Sequence, residues 1–135
     1  MTKKTKQAEN QSNVDVLVVE DNEIDQKIIA NYLEEYEVSY LIVNDGLKAL
    51  EAIKKLEFKL VLLDLGLPVL NGYQLMEKLK KELKNNLSVV AITGHDLEEV
   101  KEKCFDLGFS AVFSKPIGKI ELVGVITLFL PHKFD

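Results

Sequence analysis

The chain has 135 residues, 47% of them hydrophobic, and a net charge of −5. That length and a dispersed apolar content suit one domain with a substantial core and exclude a wholly disordered chain. The apolar runs are too short to cross a bilayer, the basic start lacks the apolar stretch of a signal peptide, and an acidic body disfavours a phosphate-backbone binder, so neither membrane contact nor nucleic-acid binding is expected of this domain.

Residues 1–13 are polar, carry three lysines against one glutamate and have no apolar period. They read as a disordered linker or terminus, with the folded domain over residues 14–131. A first apolar run, Val14 to Val19, ends in Glu20-Asp21 and leads into a helical stripe of Ile28, Ile29, Tyr32 and Leu33. A second run, Ser39 to Val43, ends in Asn44-Asp45 and precedes a stripe of Ala49, Leu50 and Ile53. The third, Leu60 to Leu63, ends in Asp64, and its helix carries Leu75, Met76 and Leu79. The fourth, Ser88 to Ile92, ends in Thr93, and its helix carries Leu97, Val100, Cys104 and Leu107 before the stop at Gly108. Cys104, the single cysteine, reads as core packing on that stripe, and a lone thiol fits a reducing, cytoplasmic compartment. The fifth run, Ala111 to Phe113, passes through Ser114 into Lys115-Pro116, and a fifth helix is expected after Gly118. Continuous β-branched runs alternating with amphipathic segments predict a (βα)5 chain with a parallel sheet covered on both faces. On the fifth helix Leu122, Ile126 and Phe129 suffice for a core stripe. The surplus of apolar residues around it suggests a contact surface for a homodimer or for intramolecular docking. Only Pro131 to Asp135 follow, so no output domain is expected on this chain.

In open α/β sheets ligands bind beyond the carboxyl ends of the strands. Here those ends deliver Glu20, Asp21 and Asp64, the Thr93 hydroxyl and the Lys115 ammonium to one rim. Three neighbouring carboxylates repel one another unless a cation joins them, and an all-oxygen set suits Mg2+ rather than Zn2+. Asp64 can then act as nucleophile in an in-line phosphoryl transfer, with Lys115 and Thr93 contacting the phosphoryl oxygens.

The segments Val-Leu-Val-Val-Glu-Asp-Asn-Glu-Ile-Asp-Gln (16–26), Val-Leu-Leu-Asp-Leu-Gly-Leu-Pro-Val-Leu-Asn-Gly (61–72), Ala-Ile-Thr-Gly-His (91–95) and Phe-Ser-Lys-Pro-Ile (113–117) resemble the receiver domain of two-component response regulators. The resemblance covers about Val14 to Leu130. It implies a flavodoxin-like doubly wound sheet of strand order 2-1-3-4-5, with Asp64 as phosphoacceptor. It also implies metal ligation by Asp21, Asp64, the Gly66 carbonyl and Glu20, the last directly or through water. Thr93 and Lys115 would contact the phosphoryl group, and Pro68 and Gly72 would shape the loop after the third strand. Such a domain catalyses its own aspartyl phosphorylation and dephosphorylation without being a turnover enzyme by itself.

Two departures stand out. Gly94 replaces the usual Ala after the threonine, and Val112 occupies the switch position that is commonly Tyr or Phe, with Phe113 out of register on the other face. In receivers, side chains at the places of Gly66 and His95 border the path of the hydrolytic water. The Glu-Asp-Asn-Glu-Ile-Asp-Gln opening and the non-aromatic switch look like receivers of hybrid histidine kinases. These exchange phosphate with histidine kinases or histidine-containing phosphotransfer domains. Ile24 and Asp25, at the start of the first helix, are the candidate partner surface. A flavodoxin would need a Ser/Thr/Gly-rich loop where Glu20 to Glu23 stand, and a dehalogenase-like phosphatase a second Asp where Gly66 stands. The remaining alternative is a receiver-like scaffold that binds proteins without phosphorylation.

Overall fold

The strand segments are runs of branched apolar residues that only a sheet covered on both faces can bury. The computed structural model describes residues 13–82 and 87–130. Strands β1 (Val16–Val19), β2 (Tyr40–Val43), β3 (Leu60–Asp64), β4 (Ser88–Thr93) and β5 (Ala111–Ser114) alternate with helices α1 (Glu23–Glu35), α2 (Gly46–Lys55), α3 (Gly72–Glu82), α4 (Leu97–Leu107) and α5 (Lys119–Phe129). All pairings are parallel and the order is β2-β1-β3-β4-β5. Among the described residues no helix is long and apolar enough to cross a membrane.

Side chains alternate between two cores. Leu17, Val19, Val61, Leu63, Val89, Ala91 and Val112 face α2, α3 and α4, where Ala49, Leu75, Met76, Leu79, Val100 and Cys104 pack. Val16, Val18, Leu60, Leu62, Val90 and Ile92 face α1 and α5, where Ile29, Leu33, Leu122, Val125 and Ile126 pack, and Phe113 leans on this second core. Burial pushes the Cys104 thiol pKa up, as core packing rather than reactivity requires.

Helix starts are fixed locally. Asn22, Asp45 and Asp96 cap α1, α2 and α4 by accepting from the backbone N–H of Asp25, Lys48 and Glu98. Asn71 and Gln74 cap α3 reciprocally, each side chain accepting from the other's N–H at 2.9 and 3.0 Å. Gly108 ends α4 at φ 101°, a left-handed position that favours glycine.

Some boundaries differ from expectation. The regular ladder starts at Val16 and Tyr40, and β3, β4 and β5 each run one residue further, to Asp64, Thr93 and Ser114. Asn13, expected in the linker, bridges Glu57, and Val14 donates to the Glu57 carbonyl at 3.0 Å. The rest of the expected linker and Pro131 to Asp135 lie outside the described residues. On α5 the buried stripe is Leu122, Val125, Ile126 and Leu130. Phe129 is only partly buried, because the helix sets Val125 and Leu130, rather than Phe129, against the sheet. Ile120 and Leu128 stay exposed, at 87% and 70%.

A Cβ at Gly72 would lie 2.6 Å from the Leu65 Cα and 2.8 Å from the Asp64 carbonyl oxygen, whereas one at Gly124 in α5 meets nothing within 4 Å. Gly72→Ala should therefore destabilise by about 1–3 kcal/mol, and Gly124→Ala should stabilise by about 0.5–1 kcal/mol. Urea unfolding of both variants checks the opposite signs.

Candidate active site

The strand order reverses between β1 and β3, so the crevice at their carboxyl ends is the natural ligand site. Val19 pairs with Leu63, which sets Glu20 beside Asp64, and Asp64 pairs with Ile92, one residue before Thr93. By alternation Glu20 continues the side of Val16 and Val18, Asp64 that of Leu60 and Leu62, and Lys115 that of Phe113. All three fall on the α1/α5 side. Thr93 falls on the other side, in step with Val89 and Ala91.

Glu20, Asp64 and Thr93 are buried, at 1%, 4% and 0% exposure. The Lys115 ammonium donates to Asp64 Oδ2 at 2.9 Å and to Glu20 Oε2 at 3.1 Å, and lies 3.4 Å from Asp25 Oδ2. Its own N–H donates to the Thr93 carbonyl at 2.8 Å, and the Lys115–Pro116 peptide is cis. The Gly66 N–H holds Asp64 Oδ1 at 2.9 Å, and the Asn22 N–H holds Glu20 Oε2 at 3.0 Å. Gln26 Nε2 donates to the Glu20 carbonyl at 2.6 Å, tying α1 to the end of β1. The Thr93 hydroxyl oxygen accepts from the His95 N–H at 3.0 Å and keeps its own O–H as a donor.

One carboxylate oxygen from each of Glu20, Asp21 and Asp64 can be chosen so that all lie within 4.8 Å of one another. Such an oxygen-only set fits a hard divalent cation. Burial first, and the Asp64 charge as well, push the Glu20 carboxyl up to about 7, against the Asn22 N–H and Lys115, which favour its ionised form. Burial works against the Lys115 ammonium, but hydrogen bonds to Asp64 and Glu20 overcome it and raise its pKa.

Glu20, Asp21, Asp64, Thr93 and Lys115 thus converge with Gly66 bonded to Asp64, whereas His95 and Ile24 sit on the exposed rim and Val112 lies in the core. Gly66 and His95 are exposed beside Asp64 and Thr93, and Val112 is buried against the α4 side. Ile24 is 69% exposed, so it is not a core residue ahead of Ile28. A Cβ at Gly94 would meet nothing within 4 Å, so the departure from Ala has no steric cause. Asp25, expected only as partner surface, faces Lys115. The capping residue Asn22 three positions earlier marks Asp25 as first-turn, but nothing in the sequence gives its distance to a lysine 90 positions later. The tight turn at Val69 was also not legible: Leu70 donates to the Pro68 carbonyl at 2.7 Å across Val69, whose φ is 67°.

A family model described as the response regulator receiver domain matches residues 16–127. The peroxide stress-activated histidine kinase mak1 of Schizosaccharomyces pombe is 37% identical over 113 residues, covering 78% of this chain and 7% of the relative. The sensor histidine kinase RcsC of Salmonella typhimurium is 31% identical over 83% of this chain and 12% of the relative. The autoinducer 2 sensor kinase/phosphatase LuxQ of Vibrio vulnificus is 32% identical over 87% of this chain and 14% of the relative. The chain therefore spans a small part of the length of these relatives. A solved receiver domain of a sensor histidine kinase from Pseudomonas aeruginosa, with a magnesium ion coordinated in its active site cleft, matches at TM-score 0.77 and 25% identity, covering 88% of this chain and 98% of that one.

A carboxyl that binds its proton more tightly folded than unfolded, here about 7 against 4.5, stabilises the fold fully below the unfolded value. That contribution is lost as pH rises through the folded value. Relative to Glu20→Gln, the metal-free protein should thus lose thermal stability between about pH 4.5 and 7, and Mg2+ should raise Tm more above that window than below it. Thermal unfolding in EDTA and in Mg2+ reads both. A metal-free difference that grows in favour of Glu20 across the window contradicts the sign.

Proposed function

The chain belongs to the response regulator receiver domain family, and on that premise we propose that it accepts a phosphoryl group on Asp64 with Mg2+ and exchanges it with a histidine of a kinase or histidine phosphotransfer domain. The observation that carries this reading is the buried Asp64 carboxylate, held by Lys115 at 2.9 Å and by the Gly66 N–H at 2.9 Å beside the Glu20–Asp21 pair. No observation favours a phosphorylation-independent scaffold.

Asp21, Asp64, the Gly66 carbonyl and Glu20, directly or through water, are the proposed metal ligands. When bound, such an ion would supply positive charge that offsets the repulsion between these carboxylates and an incoming phosphoryl group. An Asp64 oxygen attacks phosphorus in line. The bond from phosphorus to the donor nitrogen or oxygen breaks, its electron pair leaves with the donor, and an acyl phosphate forms on Asp64. Lys115 neutralises one phosphoryl oxygen and the Thr93 O–H donates to another. Hydrolysis reverses the charge problem: a water must approach past residues 66 and 95. A side chain at 66 would begin 3.7 Å from Asp64 Oδ1, and Gly66 leaves that space open, so His95 is the proposed modulator.

A donor histidine must reach Asp64 over the rim formed by the start of α1. The exposed Ile24 in that first turn supports an apolar anchor with a polar surround. Val112 has no ring to rotate, which supports α1 rather than an aromatic switch as the working surface. The exposed Ile120 and Leu128 on α5 support a further contact, with a second copy or with a parent kinase. The proposed compartment is the cytoplasm.

Acetyl phosphate with Mg2+ should add one phosphoryl group to the wild type and none to Asp64→Asn or in EDTA. Intact mass reads this, and undiminished labelling of Asp64→Asn would sink the assignment. After donor removal, His95→Ala should change the decay of the label, and light scattering of the labelled protein distinguishes a dimer from a monomer.

Ile24→Ala should slow transfer from a phosphorylated histidine phosphotransfer domain by about tenfold relative to acetyl phosphate labelling, as truncating an apolar anchor does. Val112→Tyr should leave transfer largely intact. Equal slowing of both labelling routes by Ile24→Ala would remove α1 from the docking surface.

A further inference from the structure

Lys115 has three N–H donors and three carboxylates around it: Asp64 at 2.9 Å, Glu20 at 3.1 Å and Asp25 at 3.4 Å. The first two are buried and also held by backbone N–H groups, Asp64 by Gly66 and Glu20 by Asn22. Asp25 is the most distant of the three and more exposed. Its backbone is fixed instead, since its N–H caps onto Asn22 Oδ1 at 2.9 Å, so the side chain is not needed to start α1. The cleft around the pair is about 10 Å³ and walled by Ile28, Ile29, Ile92 and Ile117. That is room for about one water, so the contact is a direct one beside apolar walls, where charges interact more strongly than in bulk water.

A phosphoryl group arriving on Asp64 brings new oxygens that require a donor from the same ammonium. Asp64 and Glu20 take two of its donors by hydrogen bonds, and Asp25 is an ion-pair partner at 3.4 Å without one, so a phosphoryl oxygen drawn to Lys115 competes most directly with Asp25, the loosest of the three. Its freed charge is then repelled by the phosphoryl group. Asp25 directly follows the exposed Ile24 in the first turn of α1. We propose that Asp25 is a positioning residue that competes with the phosphoryl group for Lys115 and, once displaced, carries the phosphorylation state to the first turn of α1. This rests on Asp64 being the phosphoacceptor.

The test uses beryllofluoride with saturating Mg2+ as the phosphoryl mimic, followed by amide NMR. Asp25→Asn keeps the shape and removes the charge, and should bind the mimic about threefold more tightly, the scale of a part-exposed ion pair. Wild-type amide shifts at residues 23–26 on binding should fall by at least half in Asp25→Asn and return in Asp25→Glu. Equal or weaker binding by Asp25→Asn, or undiminished shifts at 23–26, overturns the inference. Asp64→Asn separates the two levels: if it still binds the mimic like wild type, the phosphoacceptor reading fails, and if it does not, a wild-type result for Asp25→Asn counts against the role of Asp25 alone.

Discussion

A single ammonium facing three carboxylates is the constraint around which this domain is organised. Glu20, Asp64 and Asp25 all lie within 3.4 Å of Lys115, and Asp21 stands beside Glu20 and Asp64. Burying negative charge is costly unless it is paired, and one lysine cannot pair this much of it. The fold responds in two ways. It lends backbone N–H groups to Asp64 and Glu20, and it leaves Glu20 with a raised pKa. The unmet remainder is an attraction for a divalent cation, and this links the electrostatic cost of the site to its chemistry.

Sheet geometry creates that crowding. Parallel register sets the ends of β1, β3 and β4 level, and strand alternation then decides which side chains share a face. Glu20 and Asp64 continue apolar rows that pack on α1 and α5, so the carboxylates emerge from the same side of the core that supports them. Close approach at Gly72 and the Gln26 bond to the Glu20 carbonyl clamp the segments that leave the strands. Rigid elements thus hold the site, and surface loops border it.

The two departures from the usual receiver pattern have different physical standing. At Gly94 the space for a methyl group is present, and nothing in the structure explains its omission. At Val112 the side chain is buried against the α4 side, where it fills core volume and has no hydroxyl to expose or hide. In the first turn of α1, Asp25 lies 3.4 Å from Lys115 and Ile24 faces solvent.

The sequence by itself determined the fold class and most of the site, because both depend on local pattern. Short apolar runs such as Leu60 to Leu63, alternating with amphipathic segments, suit a sheet covered on both faces, and a carboxylate, hydroxyl or ammonium just past such a run then sits at its carboxyl edge. Tertiary structure alone decided what depends on distance between segments remote in the chain. It set Phe129 of α5 at the edge of the core and Val125 and Leu130 within it, through the face that the helix turns to the sheet. It drew Asn13 to Glu57. It also turned Asp25 inward to Lys115 while Ile24, one residue earlier, points to water. Successive residues of a helix lie about 100° apart, so the sequence fixes that they diverge, and only the packing of α1 on the sheet fixes which one meets the lysine.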